Sequence, residues 1–160
     1  MDFNSKIQTQ NQQVILPILE EKKVILFIKR EDLIHPFVSG NKFRKLKYNL
    51  QEAKKLKKKA LLTFGGAYSN HIAATAVAGK LGGFKTFGII RGDELGKNLK
   101  ETLEENATLR EAHKNGMKFH FVSRELYRQK SSFGFIEKMK NKWGDFYVIP
   151  EGGTNCLAVD

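Results

Sequence analysis

The sequence runs to 160 residues, 41% hydrophobic and 28% charged, with three prolines, a balance that suits one ordinary globular domain and excludes disordered and collagen-like chains. No apolar run reaches the ~18 residues of a membrane span, and no basic leader precedes an apolar stretch, so neither membrane insertion nor secretion is expected. The single cysteine, Cys156, excludes an internal disulfide and points to a reducing, cytoplasmic setting.

Short apolar runs alternate with longer amphipathic segments, the pattern of βα units around an open, twisted, mostly parallel sheet flanked by helices. The predicted strands are Val24-Ile25-Leu26-Phe27-Ile28, then Ala60 to Phe64, Thr86 to Ile90, Lys118 to Val122 and Phe146 to Ile149. The first helix is marked by Phe43, Leu46, Leu50, Ala53 and Leu56, which recur every three or four residues and form one apolar stripe. A second is predicted from Ser69-Asn70 through Ala73, Ala74, Ala76, Val77 and Ala78 to a stop at Gly82-Gly83, its small residues implying close packing. A third is predicted over residues 98–114 and a fourth over 125–140. The formal net charge of +11 gathers in Lys54-Lys55-Leu56-Lys57-Lys58-Lys59. Cations are favoured there by the negative end of the helix dipole, so the run reads as a solvated helix face rather than a polyanion site.

Two segments could carry chemistry. In Ser39-Gly40-Asn41-Lys42-Phe43-Arg44-Lys45-Leu46 a loop meets the first helix, so Lys42 and Lys45 lie one turn apart on one side. In a desolvated pocket two such ammonium groups repel, and the one less paired with an anion tends toward the neutral amine, able to form a Schiff base. By spacing alone, Lys-x-x-Lys is commonplace on a solvated helix. In Thr63-Phe64-Gly65-Gly66-Ala67-Tyr68-Ser69-Asn70-His71 a strand passes through a glycine turn into a helix whose unpaired N–H groups suit a carboxylate or phosphate. The plainer reading is that Ser69 and Asn70 serve as helix caps. Neither segment matches the dinucleotide G-x-G-x-x-G fingerprint or the phosphate-binding P-loop.

Four motifs in order, Ile28-Lys29-Arg30-Glu31-Asp32-Leu33, Ser39 to Leu46, Gly65 to His71, and Pro150-Glu151-Gly152-Gly153-Thr154-Asn155, resemble the 1-aminocyclopropane-1-carboxylate (ACC) deaminase and D-cysteine desulfhydrase family. The resemblance implies a pyridoxal 5'-phosphate (PLP) enzyme of the tryptophan synthase β-subunit fold type, a homodimer when complete, acting on a small amino acid to give a 2-oxo acid and ammonia. It implies that residues 1–45 form an arm of the large domain, 46–155 the small α/β domain, and 156–160 the start of the return to the large domain. Lys42 matches the lysine that bonds the cofactor, Lys45 a lysine on its phosphate, and Asn70 the asparagine beside its ring hydroxyl. Ser69, Asn70 and His71 match the loop that holds the substrate carboxylate, with Lys42 and Ser69 as the catalytic pair.

The sequence departs from the family pattern at Ser39 and Lys47, and at Tyr68, where glutamine is frequent and the substrate pocket would change. Family members are longer, and their later part supplies a glycine-rich phosphate loop, the group facing the pyridine nitrogen and a catalytic tyrosine, so a truncated enzyme is expected. The rival readings are an inactive remnant and a basic nucleic-acid-binding module; most aromatics fall inside predicted strands, which favours core packing over base stacking. His35, His113 and His120 lack metal-ligand spacing, so no metal site is expected, and Cys156 has no evident base beside it.

Overall fold

The computed structural model describes residues 8–158. Its centre is a four-stranded, all-parallel sheet in the order β5-β4-β3-β6, built from β3 (Ala60–Gly66), β4 (Lys85–Arg91), β5 (Lys118–Val122) and β6 (Tyr147–Val148). The fold class is therefore the mixed α/β one expected. The side chains of β3 divide between the faces: Leu61 enters one core with Val38, Phe43, Leu46, Leu50 and Ile149, while Leu62 and Phe64 enter another with Ile89, Tyr127, Phe135 and Met139. Burial on both faces is why the parallel strands read as continuous apolar runs.

Helix α2 (Gly40–Lys55) buries the predicted stripe except for Leu56, which is exposed. Helix α3 (Asn70–Gly82) is buried over most of its circumference, and a Cβ at Gly79 would come within 2.2 Å of Thr86 Cγ2 on β4. The small residues of this helix are thus a condition of its contact with the sheet. It stops at Gly83, in the left-handed conformation with φ +78.

Three expectations are corrected. The first apolar run forms β2 (Leu26–Lys29), which pairs antiparallel with β1 (Asn11–Val14) in a separate hairpin instead of joining the parallel sheet; the short helix α1 (Pro17–Glu21) lies between them. The third predicted helix is two, α4 (Leu99–Glu105) and α5 (Ala107–Lys114), because Asn106 takes an extended backbone and its side chain accepts the Leu109 N–H as a new N-cap. The fourth is also two, α6 (Arg124–Arg128) and α7 (Phe133–Trp143), with Ser132 capping the second through the Phe135 N–H. In both places a polar residue competes for backbone donors inside what periodicity alone would join.

The hairpin is tied to the main body by Glu31, which accepts two bonds from the Arg44 guanidinium on α2, at 2.7 and 3.0 Å, and one from the Thr9 hydroxyl at 3.0 Å. The Arg44 contact is the main reason its carboxyl is held down to about 2. Much of the arm's apolar surface remains uncovered: Ile15, Val24, Ile25, Phe27 and Ile28 are all more than half exposed.

Gly79→Ala should lower stability by about 1–3 kcal/mol through overpacking, although alanine is the better helix former by about 1 kcal/mol. Adding Thr86→Ser, which removes the offending methyl, should recover most of the loss; urea unfolding midpoints of the two variants check this.

Candidate functional site

Ser39 leads into α2 with extended backbone, and Gly40 follows at φ +56, a conformation costly for any residue with a Cβ. This entry sets Lys42 and Lys45 on the first turns, where both meet the segment returning from β6. Lys45 Nζ donates to Thr154 Oγ1 at 2.8 Å, and Lys42 Nζ approaches the Gly152 carbonyl oxygen at 3.5 Å. Gly152 and Gly153 hold φ of +71 and +73. A Cβ on Gly153 would stand 3.2 Å from both Lys45 Cβ and His71 Cε1, so the bare glycine turn lies directly against α2 and α3.

The structure therefore brings Lys42, Lys45 and His71 together. Burial first, and the Lys45 charge second, hold the Lys42 ammonium below the ordinary lysine range. His71 is 1% exposed, and burial, reinforced by the charges of Lys42 and then Lys45, pushes its imidazolium down to about 3. The ring is neutral, and its tautomer follows from Thr63. The Thr63 hydroxyl gives its one proton to the Ile149 carbonyl at 3.0 Å and so accepts from His71 Nε2–H at 2.8 Å. His71 Nδ1 is buried and makes no hydrogen bond of good geometry among the described residues, while the Pro150 backbone beside the ring favours its protonated form and only partly opposes the effect of burial.

Ser69 and Asn70 stand at the start of α3, Ser69 partly buried and Asn70 exposed. The capping role is corrected here: Ser69 holds the N-cap position but makes no side-chain cap bond. Neither its hydroxyl nor the Asn70 amide is engaged among the described residues. Both remain available to a ligand beside the first N–H groups of α3. Gly65 allows this close turn, since a Cβ there would meet Ile72 Cγ1 at 2.6 Å and Ser69 Cβ at 3.0 Å. The cluster lies at the carboxyl ends of β3 and β6, on opposite sides of which the chain proceeds to β4 and returns as β6; such a switch point is where open α/β sheets bind ligands.

Asn49 is a participant that sequence reading misses. It is fully buried on α2, one turn beyond Lys45. Its amide donates to the Lys45 carbonyl at 2.7 Å and to Asn155 Oδ1 at 3.2 Å, while its oxygen accepts from Asn155 at 2.8 Å and from the Tyr147 hydroxyl at 3.2 Å. This exchange clamps the 150–155 segment onto α2 and so places Thr154 under Lys45. An asparagine at the edge of an apolar helical stripe was the available signal.

Asn49→Ala should cost about 1–3 kcal/mol, because Asn155 and Tyr147 would lose partners in a partly buried setting; urea denaturation measures it. Separately, His71 is a group with a lowered folded pKa. The unfolded chain binds its proton first as pH falls below 6.5, so stability should decline from there toward about pH 3, by at most about 1.4 kcal/mol per pH unit. His71→Gln keeps a donor for Thr63 and cannot titrate. Its unfolding free energy, measured against pH, should lack the part of the decline that precedes carboxylate protonation.

No protein-family model matches the chain. A Thermotoga maritima protein provisionally named 1-aminocyclopropane-1-carboxylate deaminase is 39% identical over 135 residues, 83% of this chain and 41% of that protein. The mitochondrial bifunctional D-cysteine desulfhydrase/1-aminocyclopropane-1-carboxylate deaminase of Arabidopsis thaliana is 33% identical over 137 residues, 83% of this chain and 34% of the relative. The crystal structure of an ACC deaminase homologue superposes with a TM-score of 0.66 at 28% identity, covering 96% of this chain and 45% of the other. The chain thus spans about two-fifths of the length of the relatives it matches, and over that span it belongs to the ACC deaminase/D-cysteine desulfhydrase family.

Proposed function

We propose that this chain carries the lysine-bearing side of a PLP site, in an enzyme that converts a small amino acid to a 2-oxo acid and ammonia. The observation that carries the reading is the division of labour between two lysines one turn apart: Lys45 is anchored on Thr154, whereas the Lys42 amine is pushed toward its neutral, nucleophilic form. The uncommitted Ser69 hydroxyl and Asn70 amide at the start of α3 suit a ligand with polar substituents. Lys42 would hold PLP covalently, Lys45 would face its phosphate as a cation, and Asn70 would lie by the ring hydroxyl. When bound, PLP supplies the electron sink for bond cleavage at the substrate α-carbon.

The remaining work falls to side chains of this chain. Lys42 Nζ, once free of the cofactor, takes and returns protons, a task eased by the burial and the Lys45 charge that hold its pKa below the ordinary lysine range. Ser69 and Asn70, uncommitted at the start of α3, are proposed to hold the substrate carboxylate, Ser69 also acting in catalysis. His71 supports that loop from beneath as a neutral ring. Two substrates fit the reading: ACC, giving 2-oxobutyrate, and D-cysteine, giving pyruvate and sulfide.

The division of the chain into an arm of residues 1–45, a small domain of 46–155 and a return at 156–160 is likewise proposed. It is supported by the uncovered apolar side chains of the arm, a surface of the kind that packs against another body. Helix α2 runs unbroken across residues 45 and 46, so the division is one of packing partners. A homodimer is proposed for the complete enzyme and the cytoplasm as its setting. Among the described residues no helix is long and apolar enough to cross a membrane.

Incubation with equimolar PLP, borohydride reduction and peptide mapping test the assignment. The pyridoxyl label should concentrate on the peptide bearing Lys42, and Lys42→Ala should lose that labelling while keeping its circular dichroism spectrum. A label spread over the surface lysines, identical in both proteins, would refute it.

A further inference from the structure

A cavity of about 430 Å3 opens beside the carboxyl ends of β3 and β4 and shares no lining residue with the Lys42 cluster. Three arginines line its wall: Arg91 from the last position of β4, and Arg124 and Arg128 from α6. One carboxylate is also in the wall, Glu94, and Arg124 takes it at 3.0 Å. That pair neutralises itself. Neither Arg91 nor Arg128 forms a hydrogen bond or salt bridge among the described residues, and Glu125, the other carboxylate of α6, is outside the wall. Arg91 and Arg128 therefore line one concavity without a direct ion pair among the described residues, the nearby Glu125 charge offsetting part of that of Arg128.

Arg91 is also held in place. Its guanidinium carbon lies 5.7 Å from the centre of the Tyr127 ring, which is 4% exposed and is covered on its own account by Lys130 Nζ at 4.4 Å. On its other flank, a Cβ at Gly66 would meet Arg91 Nη2 at 3.6 Å, so the absence of a side chain at that turn leaves the guanidinium against backbone. A guanidinium near the face of an aromatic ring and with no hydrogen-bond acceptor among the described residues can bind an oxygen anion through two parallel N–H groups.

We propose that this pocket binds the carboxylate or phosphate group of a small anionic molecule, with Arg91 and Arg128 as its donors. The general basicity of the chain is the competing explanation for any anion affinity, and location separates the two, because the Lys54 to Lys59 run is on a different part of the sequence and contributes nothing to this wall.

The test is titration of the 160-residue protein with inorganic phosphate and, separately, with succinate, at constant ionic strength and followed by NMR chemical shifts. Binding of either anion should move the Gly66, Arg91 and Arg128 amides. Arg91→Gln and Arg128→Gln should each weaken it by about tenfold, the scale of one charge-assisted hydrogen bond. Arg91→Lys, which retains charge but loses the fork, should recover only part. The Lys54→Gln/Lys59→Gln protein should stay within about twofold of the parent. Phosphate binding alone would identify a phosphate-bearing ligand, and succinate binding alone a carboxylate one. The proposal is overturned if neither anion binds, if both arginine variants bind like the parent, or if the lysine variant loses as much. Arg128, exposed on a short helix, gives a variant whose folding is not at stake.

Discussion

Asn49 and Asn155 exchange amide hydrogen bonds in a partly buried setting, with the Tyr147 hydroxyl and the Lys45 carbonyl completing the four, and the candidate site depends on this clamp. Without it, α2 would be a basic amphipathic helix whose first lysines face water. With it, the 150–155 segment is drawn onto the start of α2, and its two left-handed glycines let the backbone come close enough for Gly152 and Thr154 to meet Lys42 and Lys45. The same close approach buries His71 against Gly153. Three elements distant in sequence become one polar cluster because a pair of amides cannot be buried unsatisfied.

The electrostatics follow from that enclosure. Two lysines and an imidazole share a region of restricted solvation, and the cost of crowding positive charge is relieved where it is cheapest, by keeping His71 neutral and lowering the Lys42 ammonium. Such a cluster is better matched to a ligand that brings negative charge than to bare water. The position of the cluster at the switch point of the parallel sheet has the same logic, since the carboxyl ends of strands direct the following helix N-termini toward one crevice. The hairpin arm is anchored to this region by the charged contact of Glu31 with Arg44, while several of its apolar side chains are more than half exposed.

Much of the architecture was legible because parallel strands buried on both faces leave unbroken apolar runs, and because Phe43, Leu46, Leu50 and Ala53 repeat with helical spacing. The errors have a common origin. Asn106 and Ser132 divide helices that periodicity joins, since a side chain that caps a new helix resembles any other polar residue until its partner N–H is located. The run at Val24 to Ile28 has the composition of a core strand, yet β2 pairs with β1 outside the sheet, because composition records burial preference and not which strand lies alongside.

By itself the sequence determined the fold class, the family resemblance, and the placing of Lys42 and Lys45 one turn apart at the head of a helix. These are local properties, governed by side-chain period, backbone freedom at glycine and residue order. Only the tertiary structure decided that Lys45 rests on Thr154, that Ser69 leaves its cap bond unmade, that His71 is a neutral buried ring held by Thr63, and that Asn49 closes the site. Each of these is a contact between separate elements of the fold or a bond that a local rule permits but does not compel. Hydrogen-bond partnership and desolvation depend on what surrounds a group in space, and no spacing along the chain specifies that.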